Sequence, residues 1–98
     1  MIHLIATIHV REGSVDEFAG LAEPCIEATR REEGCLHYDL HQSLTEPTKL
    51  VFVEKWADRD ALNRHFREPH LIAFRDAGTP HIVERTIEIV TDGTVETL

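Results

Sequence analysis

The sequence predicts an α+β domain with a single antiparallel sheet and helices packed on one of its faces. Three observations carry that reading. Period-2 and helical apolar patterns follow one another in the order β-α-β-β-α-β, and short turns rich in Gly, Pro and Thr separate them. The 98 residues suit one hydrophobic core, with no repeat, low-complexity stretch or internal linker, so residues 1–98 are expected to form a single domain.

Residues 2–10 place Ile2, Leu4, Ala6, Ile8 and Val10 on one parity and His3, Ile5, Thr7 and His9 on the other, which is the signature of a strand. Ser14 and Glu17 have the spacing of a capping box, opening a helix expected to run to about Glu33. Val15, Phe18, Ala22, Cys25, Ile26 and Thr29 mark its buried stripe, Pro24 should bend it, and Gly34 ends it. Cys35–Ser43 reads as a second strand. The turn Thr45-Glu46-Pro47-Thr48 joins it to a third, Leu50–Trp56, as a hairpin. Asp58 can cap a short helix through Phe66, and Pro69 suits the first position of another through about Ala77. Residues 81–91 form the last strand, and the tail Asp92–Leu98 could add edge pairing. This order is the ferredoxin-like split βαβ plan.

The third strand is apolar on both parities: Leu50, Phe52 and Trp56 on one, Val51, Val53 and Ala57 on the other. Helices cover one sheet face only. The other face needs a second sheet, most simply that of a symmetric copy, so a homodimeric α+β barrel is expected.

Eighteen acids against ten Lys and Arg give a formal charge of −8. That sign excludes a phosphate backbone or an anionic membrane surface as the natural partner. No apolar run approaches the roughly 18 residues of a membrane span, and Met1 leads into Ile2-His3-Leu4-Ile5 without a basic n-region. A cytoplasmic protein is expected. Cys25 and Cys35 fall on different elements and read as buried packing thiols.

The candidates for chemistry each have a plainer reading. Cys35, His37, Asp39 and His41 share one parity of the second strand, a row that normally faces solvent but becomes functional or mutually bonded if enclosed. His37-x-Asp39-x-His41 could be spaced for metal, yet no Cys or HExxH spacing completes a ligand set, so no metal is expected. Trp56 either fills the core or stacks on a flat ligand. Glu54, two residues earlier, is costly to bury unless paired, with Arg75, Arg85 or a histidine as partner. His65 ends one helix. His70 opens the next, where the dipole favours a neutral ring able to accept a proton. No nucleotide-binding fingerprint and no Ser or Cys nucleophile elbow is present.

Glu54-Lys55-Trp56, followed by His65 and Glu68-Pro69-His70, and preceded by Glu33-Gly34-Cys35-Leu36-His37-Tyr38, resembles the antibiotic biosynthesis monooxygenase family of small dimeric α+β barrels over nearly the whole chain. The resemblance implies a cofactor-independent monooxygenase, in which a deprotonated quinol or aromatic substrate itself gives an electron to dioxygen. It also implies no metal or flavin, and a small aromatic ligand. His41 and Trp56 match a pocket histidine and tryptophan of that family, and His65 and His70 fall in its second-helix motif. The implied set is therefore His41, His70 and His65 for catalysis, with Trp56, Tyr38, Glu54, His37 and Phe52 lining the substrate. Phe52 and Leu62 replace an asparagine and a tyrosine of the polyketide-oxidising branch. The haem-degrading branch, with its asparagine, tryptophan and histidine, is not matched. A branch that isomerises a small phosphorylated signalling sugar shares the Pro-His motif, and that activity stays as an alternative beside a non-catalytic, stress-linked or ligand-binding dimer.

Overall fold

A computed structural model describes residues 1–98. Four antiparallel strands, β1 (Ile2–Val10), β2 (Cys35–Gln42), β3 (Lys49–Trp56) and β4 (Ile82–Val90), form one sheet in the order β2-β3-β1-β4. Helices α1 (Val15–Thr29), α2 (Arg59–His65) and α3 (Pro69–Gly78) lie on one face, and a single 3-10 turn, Thr79–His81, leads into β4. The molecule is a slab of 37 × 33 × 19 Å, two layers thick.

Alternation decides which side chains enter the core. Ile2, Leu4, Ala6, Ile8 and Val10 of β1 and Leu50, Phe52 and Trp56 of β3 are all buried under the helices, which contribute Phe18, Ala22, Cys25, Ala61, Leu62, Leu71 and Phe74. On the opposite face, Ile5 sits across from Val53 and Thr7 from Val51. That face carries no layer of its own within the chain. The α+β plan and its connections are those read from the sequence.

Several local expectations are corrected. Ser14 and Glu17 form no capping box. Ser14 lies in helical backbone geometry without a side-chain cap. Both residues instead turn to His81, whose Nδ1 is 3.1 Å from Ser14 Oγ and whose Nε2 is 3.7 Å from Glu17 Oε1. The first helix ends at Thr29 rather than near Glu33, because three-residue turns take over: Arg31 N–H donates to Ala28 O, Glu32 N–H to Thr29 O and Cys35 N–H to Glu32 O. Gly34 closes this turn at φ +86°, a left-handed conformation that glycine adopts freely. A Cβ on it would also meet Ala61 Cβ at 2.5 Å.

The second correction concerns β2. Cys35 pairs with Trp56 and His37 with Lys55, so Leu36 is the extra residue of a β-bulge. The bulge turns Cys35 away from the row of His37, Asp39 and His41. Beyond β4, residues 91–98 add no strand to the sheet edge. Asp58 does cap α2, accepting from Ala61 N–H at 2.8 Å, and Pro69 does open α3. No helix is long and apolar enough to cross a membrane.

Candidate active site

The turn after α1 drops Glu32 between α2 and α3. Its Oε2 accepts from His65 Nδ1 at 2.8 Å and from His70 Nε2 at 2.7 Å, with the Glu32 side chain 9% exposed and that of His65 only 2%. One carboxylate thus ties a loop to the end of one helix and the start of the next. Burial holds the His65 imidazole below its ordinary value, and the Glu32 carboxylate offsets this only in part. The neutral ring donates through Nδ1, which leaves Nε2 as its lone-pair atom.

His65 lines a cavity of about 430 Å³ between the sheet and the helices. Of its sixteen lining residues eleven are hydrophobic, so the space suits an apolar body held by few polar groups. Tyr38, Phe52 and Phe74 supply aromatic walls, with Tyr38 and Phe52 centroids 5.5 Å apart and Phe52 and Phe74 5.9 Å apart. Glu54 also faces it. Burial pushes the Glu54 carboxyl up to about 7, against the pull of its hydrogen bond from Trp56 and with a further push from the Glu32 charge. Tyr38 is driven well above the usual phenol value, first by burial and then by the charge of Glu54, so it stays a neutral phenol. Cys35 is likewise raised, to about 11, by burial and the nearby carboxylates, and is no thiolate nucleophile.

The sequence candidates separate into two groups. His65, Tyr38, Glu54 and Phe52 line the cavity, and His70 joins them through Glu32 without lining it. Trp56 is fully buried behind this set rather than forming a wall. Its Nε1 donates to Glu54 Oε1 at 3.0 Å, and its ring packs on His65 at a centroid distance of 4.7 Å. Glu54 is thus partnered by Trp56, not by Arg75, Arg85 or a histidine. His41 and His37 do not share the cavity. Both are exposed on the opposite face of the sheet, where Asp39 lies 3.8 Å from His41 and 3.3 Å from Arg30. Alternation alone sends them there, because Tyr38 between them points into the core.

Two clusters could offer a metal three ligands, Glu32/His65/His70 and His37/Asp39/His41. In the first, the nitrogen–oxygen separations of 2.7 and 2.8 Å are those of direct hydrogen bonds, shorter than the roughly 3.3 Å between two ligand atoms sharing a tetrahedral zinc. The second is open to solvent. Glu32 is the residue that sequence reasoning missed, since its partners lie 33 and 38 positions away.

The profile of the antibiotic biosynthesis monooxygenase family matches residues 1–77. The chain belongs to that family. YcnE of Bacillus subtilis, assigned to the monooxygenases by name, is 35% identical over 74 residues, covering 76% of this chain and 78% of YcnE. YgiN of Escherichia coli, named a probable quinol monooxygenase, is 28% identical across 95% of this chain and 99% of its own. The chain spans only 59% of the length of sll1783 from Synechocystis, to which it is 32% identical over 88 residues. A crystal structure of a conserved protein from Methanosarcina mazei superposes with a TM-score of 0.88 at 32% identity, covering 91% of this chain and 89% of that one.

Proposed function

We propose that this member of the family is a cofactor-independent monooxygenase acting on a small quinol-type or phenolic aromatic compound. The observation that carries the reading is His65: a desolvated, neutral imidazole, oriented by Glu32, on the wall of an apolar cavity. A base that is neutral near pH 7 can take a phenolic proton through Nε2 while Nδ1–H stays on the Glu32 carboxylate, which stabilises the imidazolium that forms. The electron-rich anion then passes one electron to dioxygen, and the two radicals join as a C–O bond. Cleavage of the O–O bond leaves one oxygen atom on the ring, and the other departs as water with two substrate hydrogens. The protein groups bind, deprotonate and exclude solvent. Relatives named as monooxygenases, one of them for quinols, support the reaction class.

The reading includes a homodimer joined through the outer sheet face, which the apolar pair Ile5–Val53 and the neighbouring Val51 support. Oxygen uptake across a panel of hydroquinones and anthrones tests the activity. Uptake that requires His65 supports it, whereas binding of these compounds without turnover identifies a ligand-binding module.

A further inference from the structure

Two guanidinium groups stand at the mouth of the cavity. Arg75 on α3 and Arg85 on β4 both line it and both are exposed. Arg30 pairs with Asp39, Arg11 holds Pro80 O and Arg59 holds Asn63, while the side chains of Arg31, Arg64, Arg67, Arg75 and Arg85 make neither an ion pair nor a hydrogen bond; of these five only Arg75 and Arg85 line the cavity. They bring two positive charges to one opening in a chain of net charge −8.

Register shows that this end is remote from the proposed base. Glu54, at the inner end beside Trp56, pairs across from Leu4 of β1, and Arg85 pairs across from Ile8. Four residues of extended chain separate those positions, roughly 13 Å along the strand. Between them lie Phe52, across from Ala6, and Phe74. The cavity therefore has an acid-and-imidazole end, an aromatic middle and a cationic mouth.

We infer that the cavity selects an amphipathic anion: a planar apolar ring system carrying one carboxylate or comparable oxyanion at one end. Resting on the proposed active site, this assigns its substrate class. The ring lies along Tyr38, Phe52 and Phe74. Its oxyanion meets Arg75 and Arg85, whose planar groups suit paired oxygens, and its far edge, which in a substrate bears the hydroxyl, points to His65. The reverse orientation is disfavoured, because it would set the ligand's negative charge beside Glu54 and Glu32. A polyol body is disfavoured by the lining, which is hydrophobic at eleven of sixteen positions.

Calorimetric titration of the full chain with 2-naphthoate and with 2-naphthalenemethanol tests this, since the two share a ring system and differ in charge. Naphthoate is expected to bind about tenfold more tightly at low salt, the size expected of two partly exposed charge pairs. That ratio should fall toward one in the Arg75→Gln/Arg85→Gln double variant and at about 0.5 M salt, and the Arg85→Lys variant, which keeps its charge, should retain most of it. Equal affinities in the parent chain, or a ratio unchanged in the double variant, overturn the cationic mouth and leave the cavity reading standing. Failure of both compounds to bind overturns the cavity and the inference together.

Discussion

Between pH 4.5 and about 7 the Glu54 carboxyl keeps a proton in the folded chain that it has already released in the unfolded one. Its raised value therefore contributes stability that is fully present below pH 4.5 and is lost as pH climbs through 7. That interval is worth roughly 3 kcal/mol. Glu54→Gln keeps an oxygen for Trp56 Nε1 to donate to and cannot ionise, so urea unfolding should show it level with the parent near pH 5 and up to about 3 kcal/mol more stable near pH 8. Equal pH dependence of the two proteins would disprove the burial argument. His65 works in the other direction. Its lowered value gives stability that is present above the ordinary imidazole range near 6.5 and lost as pH falls through the folded value. Turnover should follow the same group, rising with pH and levelling off below 6.5, with His65→Ala costing about 10²–10⁴-fold. Glu32→Gln should cost less and shift the profile, since it perturbs the orientation and charge beside the base without removing it. An unchanged profile in Glu32→Gln would detach Glu32 from catalysis.

At the scale of elements, the close approach of Gly34 to Ala61 fixes how the turn carrying Glu32 meets α2. Two separate constraints meet at Gly34: a φ of +86° and a Cβ position 2.5 Å from Ala61 Cβ. Gly34→Ala should lose about 2 kcal/mol or more by thermal unfolding, from backbone strain and overpacking together. Adding Ala61→Gly should recover the packing share and leave the strain, whereas no recovery would mean that contact with Ala61 costs nothing. The elements themselves were legible in the sequence because their signals are local. The buried stripe Phe18, Ala22, Cys25 and Thr29 repeats at helical spacing, and Asp58 and Pro69 mark helix starts within a turn. What escaped was set by partners far along the chain. His81 draws Ser14 and Glu17 out of their capping box, and Glu32 finds its histidines only once α2 and α3 pack. His37 and His41 matched a polar pattern correctly, yet the pattern does not say which face the helices cover.

For the molecule as a whole, the accessible surface is 6380 Å². A compact monomer of this mass would expose about 5,700 Å². The exposed tail 91–98 and a sheet left uncovered on one side both add to this surface, with Ile5 39% exposed opposite Val53. A C2 dimer through this face should bury about 2,000 Å² or more. Light scattering at low micromolar concentration should report the dimer mass for the parent. Val53→Asp should abolish it, either as a monomer or as insoluble chain, because a charge between two sheets has no partner. A soluble Val53→Asp dimer would place the interface elsewhere.

The bulge at Leu36 also governs how this chain tolerates a change in length. Removing one residue from a strand ordinarily exchanges its two faces from that point onward. Here the extra residue is the unpaired one. With Leu36 deleted, Cys35 and His37 become neighbours in ordinary alternation, still opposite Trp56 and Lys55, and Tyr38 still points into the core. The chain should fold without it, shedding a leucine that is 58% exposed. Deleting Leu40, in the regularly paired part of the same strand, should instead lower the thermal unfolding midpoint, because it removes a side chain packed against the core and draws His41 into its place.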